Sequence, residues 1–190
     1  MSKLANTEDV TLGSGDLFMM LYADSIPADS ELEVDANCVA HIDSGATLKY
    51  GVTYKEVEDS RGEIIKAFIT KEDVTFGTGI LSWNGNVIAM LCETARVTTT
   101  PATAEAKGKR VTKIGGADNA SGKYYVIRFR HLKDDGCYIR VTVKGKNLAG
   151  FSLPFQKEDA TVIDAEIKAF AQDNEGTLVI IEEELPMLSA

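Results

Sequence analysis

The feature that most constrains this chain is the recurrence of alternating apolar and polar residues in runs joined by short turn clusters. In a strand, successive side chains point to opposite faces, so alternation of this kind marks half-buried β-structure. Leu17, Met19 and Leu21 share one face of the first run. Leu48, Tyr50, Val52 and Tyr54 share a face of the second, with Lys49, Thr53 and Lys55 opposite. Asp59-Ser60-Arg61-Gly62 supplies the local hydrogen bonds and positive φ of a turn, and Ile65, Ala67 and Ile69 alternate beyond it. This predicts a long hairpin over 45–70. A second hairpin is predicted where Tyr125, Ile127, Phe129 and His131 precede Asp134-Asp135-Gly136, and Cys137, Ile139, Val141 and Val143 follow. A third is predicted from Ile163, Ala165, Ile167 and Ala169, the turn Asp173-Asn174-Glu175-Gly176, and a strand over 177–183.

One segment departs from period two. Trp83, Val87, Met90, Leu91 and Thr94 recur at helical spacing, with Ser82 or Asn84 placed to cap, so a helix over 84–94 is expected to pack on the sheet. The acidic, proline-bearing segment 23–35 and the Thr/Ala/Pro/Gly-rich segment 98–122 are expected to be flexible loops. The chain has 190 residues, the size of one domain. The expected architecture over 1–190 is mainly β: a sandwich or barrel of long hairpins with one flanking helix.

Charge narrows the function classes. Lys and Arg number 20 against 29 Asp and Glu, a net charge of −9, which argues against a dedicated grip on nucleic acid. The charge is unevenly spread. Between 107 and 146 lie eleven basic residues and three acids, near +8, which leaves −17 elsewhere. The longest apolar run, 87–92, is far too short to cross a bilayer as a helix, and the first residues carry no apolar secretory core, so no membrane insertion is expected. Three widely spaced cysteines imply no disulfide framework and a reducing compartment.

No constellation for catalysis stands out, so the chain is not expected to be an enzyme and no cofactor is expected. Gly13-Ser14-Gly15 and Gly77-Thr78-Gly79 lack the further glycine and the context of a dinucleotide site. Ser44 with His41 or His131 does not form a nucleophile motif. Cys38-x-x-His41 with His131 and Cys137 is the one tetrahedral metal set to weigh. It lacks flanking knuckle glycines, and its cysteines read as small buried hydrophobes. The carboxylates Glu182, Glu183 and Glu184 read as a solvated strand end. Tyr50, Tyr54, Tyr125 and Phe129 could line the cavity of a soluble β-barrel that binds a small molecule, the alternative function.

The order of features resembles the tail tube (major tail) proteins of tailed bacteriophages. Leu12-Gly13-Ser14-Gly15-Asp16-Leu17-Phe18 is similar to the family's opening strand, and His41-Ile42-Asp43-Ser44-Gly45-Ala46-Thr47-Leu48 to the start of its long hairpin. The run from Asp73 to Asn84 (Asp73-Val74-Thr75-Phe76-Gly77-Thr78-Gly79-Ile80-Leu81-Ser82-Trp83-Asn84) is similar to the strand that feeds its helix, and Thr161 to Phe170 followed by Asp173 to Glu182 to its closing hairpin. The resemblance implies a structural virion protein, located in the phage tail and in host cytoplasm during assembly. Six copies would form a ring sharing an inner β-barrel, and rings would stack head to tail. The implied partners are further copies of itself, a tape measure protein in the lumen, tail tip (initiator) and terminator proteins, and double-stranded DNA that passes without specific binding. The split charge suggests basic-to-acidic contact between subunits, with candidate interface charges Asp24, Asp29, Glu31, Glu33, Asp35, Arg128, Arg130, Arg140, Lys144 and Lys146.

Overall fold

A computed structural model describes residues 13–42, 45–80, 85–152 and 163–186. The fold is mainly β, as the alternation predicts. Strands β1 (Gly15–Leu21), β2 (Cys38–Ile42), β3 (Ala46–Glu58), β4 (Ile64–Ile80), β7 (Tyr125–Leu132), β8 (Tyr138–Ser152), β9 (Ile163–Ala169) and β10 (Val179–Glu183) form one antiparallel sheet. Its order is β2-β1-β7-β8-β9-β4-β3, with β10 beside β8. The sheet curls until β2 approaches β4. Leu17, Met19, Ala40, Ile42, Val74, Phe76, Ile127, Val143, Ile163 and Ile167 fill the space between as one buried cluster.

Two of the three predicted hairpins form. β3 pairs with β4 from Ala46↔Thr78 to Glu58↔Ile64. Its tip closes because the Asp59 carboxylate accepts the N–H groups of Arg61 and Glu63 at 2.7 and 3.0 Å, while Gly62 takes φ +81°. β7 and β8 pair around the Asp-Asp-Gly turn. The third hairpin does not form. β9 is bonded by β8 on one side and β4 on the other, so neither edge is left for β10. Instead β10 continues in line with β9 along the same partner: β9 pairs with Gly145 to Ser152 of β8, and β10 with Ile139 to Val143. The Asp173 turn is an excursion between two halves of one ladder, pinned by Phe170 N–H donating to the Lys144 carbonyl at 2.8 Å.

The helices differ from expectation in extent and number. Helix α2 spans Gly85–Leu91 and seats Val87, Ile88 and Leu91 on the core. Thr94 lies outside it, and Trp83 and the caps expected at Ser82 or Asn84 lie outside the described residues. A one-turn helix α1 (Asp29–Leu32) occupies the segment expected to be a loop. The segment 98–122 is also structured in part: β5 (Arg96–Thr100) and β6 (Lys109–Lys113) form a two-stranded ribbon against α2. Its run of Val and Thr suits a pleated strand better than a flexible linker.

Where β8 changes partner from β10 to β9, the backbones approach closely. A Cβ on Gly145 would lie 2.5 Å from the Lys168 carbonyl oxygen and 2.7 Å from Ile167. Gly145→Ala should therefore destabilise the fold by about 1–3 kcal/mol, the usual range for overpacking, read as a lower urea midpoint at unchanged slope.

Candidate functional site

Two surfaces stand out from the closed core. The first is the outer face of β1, β7, β8 and β10. Register alone places Asp16 beside Arg130, Phe18 beside Arg128, and Glu182 beside Arg140 on that face. Strand alternation thus puts three guanidiniums side by side, and like charges so placed need counter-charges.

The α1 segment supplies them. Leu32 is fully buried against Phe18 and Val126, which anchors the turn. The next residue, Glu33, then points into the arginines with its side chain only 7% exposed. Its carboxylate receives Arg128 Nη1 at 3.0 Å and Arg140 Nε at 2.6 Å on one oxygen, and Arg130 Nη1 at 3.0 Å on the other. Arg128 also pairs with Asp29 and donates to Thr142 at 2.9 Å, Arg130 reaches Asp16 at 2.8 Å, and Arg140 reaches Glu184 at 2.5 Å. Tyr138 lies under both Arg130 and Arg140, with Cζ 4.9 and 5.2 Å from the ring centre.

Of the ten candidate interface charges, Asp29, Glu33, Arg128, Arg130 and Arg140 therefore meet inside one chain. Lys144 donates to the Ala171 carbonyl at 2.8 Å and sits over Tyr22, while Lys146 pairs with Glu93 at 3.1 Å. Asp24, Glu31 and Asp35 are exposed and stand apart from the cluster. The basic-to-acidic match expected between subunits is in large part satisfied within the chain. The signal for this was present: Leu32 is flanked by Glu31 and Glu33 in an acidic segment, and Arg128 and Arg130 hold alternate positions beside the apolar Val126, Ile127 and Phe129.

The second surface is the outer half of the β3–β4 hairpin. β4 is exposed at every position from Ile64 to Glu72, and only from Asp73 onward does alternate burial begin. Seven residues of β3, Val52 to Glu58, pair with that half and leave the body with it as a two-stranded arm about 25 Å long, with Tyr50 at its base. Tyr50, Tyr54, Val57, Ile64, Ile65, Phe68 and Ile69 are between 38% and 65% exposed along it. Both faces carry exposed apolar side chains among charged ones, because Tyr54 pairs with Ile69 on one while Phe68, paired with Lys55, lies on the other. The aromatic set considered for a ligand cavity is consequently not assembled. Tyr50 and Tyr54 stand on the arm, and Phe129 lies in the core.

The four-residue metal set does not assemble either. His131 turns to the opposite side of the sheet, its Nδ1 2.5 Å from the Ser14 carbonyl oxygen, and Cys137 sits in the β7–β8 turn. Cys38 and His41 do come together, with Asp16 as the third member. No family model matches the chain, and no curated protein matches it significantly.

The acid response follows from Glu33. Burial alone would raise its pKa, but hydrogen bonds from Arg140, Arg130 and Arg128 outweigh this and hold the carboxyl below its ordinary 4.5. Glu184 is held low by Arg140 in the same way. A depressed carboxyl stabilises the fold at pH above its unfolded value, and that contribution is lost as pH falls through the folded value. Stability should therefore be level near neutrality and decline below about pH 4.5. Glu33→Gln should cost about 3–5 kcal/mol at pH 7, as removal of one partner from a buried ion pair does, and should flatten the acid decline. Exposed Glu31→Gln should change stability by less than about 0.5 kcal/mol. Urea unfolding from pH 3 to 8 measures both.

Proposed function

We propose that this protein is a structural subunit that assembles with copies of itself into stacked hexameric rings, forming the tube of a phage tail through which the genome leaves. The observation that carries the reading is the β3–β4 arm. An isolated two-stranded ribbon is marginal in water, and an apolar edge strand with both faces exposed invites pairing with another chain. Such a surface is expected in a subunit whose strands complete a barrel only when neighbours are present, since closure across subunits removes the edges. A rotation that closes gives a ring, while head-to-tail stacking leaves ends and gives a filament.

Other features support the same reading. The body closes on one core and its arginine face is paired within the chain, which leaves the arm as the apolar surface open to a neighbour. The net charge of −9 suits a conduit that lets DNA pass without holding it. On this reading the partners are further copies of the chain, a tape measure protein in the lumen, and the proteins that start and end the tail.

Negative-stain electron microscopy of the concentrated protein should show tubes, and end views should show sixfold rings. Tyr54→Lys with Ile69→Glu, an opposite-charge pair across the same register position, should abolish the tubes while shifting monomer stability by no more than about 1 kcal/mol, the scale of one cross-strand pair. Because the arm contact is apolar and the arginine face is paired internally, raising sodium chloride should leave the final amount of tube unchanged or greater, contrary to the loss expected if basic-to-acidic contacts held the subunits together. A protein that remains monomeric at all concentrations, with tip and tape measure proteins added, would end the proposal.

A further inference from the structure

We propose that Asp16, Cys38 and His41 form a binding site for a divalent transition cation of borderline softness, with zinc the best match. This inference does not depend on the tube reading.

The site is made by a local irregularity in the sheet. In a regular strand Cys38 and His41, three residues apart, would point to opposite faces. Here the β1–β2 register runs Asp16↔His41, Leu17↔Ala40 and then Phe18↔Cys38, so Val39 is an extra residue. Val39 and Ala40 both turn into the core, at 6% and 4% exposure. This β-bulge brings Cys38 and His41 to the same side, that of Asp16, and bulges commonly re-aim a side chain in this way. One Asp oxygen, the Cys sulfur and one His nitrogen then lie within 4.8 Å of one another.

The donor set fits the ion. Thiolate, imidazole and carboxylate are the three ligand types zinc takes, at about 2.0–2.3 Å, which separates neighbouring ligand atoms by about 3.3–3.8 Å. His41 Nδ1 and Asp16 Oδ1 are now 2.6 Å apart, so the exposed His41 ring would swing outward slightly to admit an ion. Hard cations that prefer six or more oxygens are a poor match. Support from behind is also present. Asp16 uses its other oxygen to accept Arg130 Nη2 at 2.8 Å, which fixes the carboxylate with Oδ1 toward the site. The Arg130 charge, which alone would oppose a cation, is offset by Glu33 Oε2 at 3.0 Å. The His41 ring is 83% exposed, so an ion can reach the site and keep water in its remaining position. On binding, the Cys38 S–H bond breaks, its proton passes to solvent, and sulfur donates a lone pair to the cation, with no redox change.

The test is equilibrium dialysis of the reduced full-length chain against zinc. One zinc per chain is expected, at a dissociation constant of about 1 µM or tighter. Cys38→Ser and His41→Ala should each weaken binding at least about 100-fold, the upper end of what losing only a supporting partner costs. Cys92→Ser and Cys137→Ser should bind as the parent does. Cobalt in place of zinc should give a near-ultraviolet sulfur-to-metal band that Cys38→Ser removes. His41→Ala alters an exposed side chain and should fold normally, so its result stands whatever Cys38→Ser does to stability. Binding that is substoichiometric, or unchanged in His41→Ala and Cys38→Ser, would overturn the site.

Discussion

The Glu33 carboxylate is the interaction on which the outer side of the body depends. Strand alternation places Arg128 on a face that α1 then covers, leaving its side chain 3% exposed. A guanidinium that far from water costs several kcal/mol unless it is paired and its donors are filled. Glu33 accepts from three arginines at once, and Leu32 beside it supplies the apolar anchor that brings the carboxylate there. The two residues act together. Without Leu32 the helical turn has no reason to sit on the sheet, and without Glu33 it would cover unpaired charge.

That arrangement also determines what the body can offer a neighbour. A face whose arginines are filled from within has little attraction left for another chain. The β3–β4 arm is different, since its large apolar side chains remain 38–65% exposed. The two halves of β4 show the contrast within one strand. From Asp73 its burial alternates cleanly and from Thr75 it is bonded on both sides, while its first nine residues lean only on β3. Rigid body and uncovered arm are products of one strand being longer than the sheet that holds it.

Much of the sheet was legible because alternation and turn residues are local signals. The β3–β4 and β7–β8 hairpins follow from them directly. The false third hairpin followed from the same signals, because Asp173 to Gly176 is a genuine turn. What local sequence does not carry is that β8 and β4 already occupy both edges of β9. The segment 23–35 misled for a related reason. Its acids and proline read as a solvated loop, whereas the arginines that give Glu33 its place lie about a hundred residues away. The Cys38-x-x-His41 spacing was visible, but whether both side chains face one way depends on a bulge that only the pairing with β1 creates.

The uneven charge takes on a different meaning once the pairs are drawn. Arg128, Arg130, Lys133, Arg140 and Lys146 of the basic stretch end on carboxylates of the same chain. The exposed remainder, Lys107, Lys109 and Lys113 with Lys123, gathers on and near the β5–β6 ribbon rather than across the sheet. A cluster of exposed lysines steers encounters and is screened over about 10 Å at 0.1 M salt, so its influence falls on rate and orientation. Affinity must come from surface that loses water on contact, and the arm is where such surface is found. If copies of this chain assemble, the ribbon sets how they meet and the arm sets whether they stay.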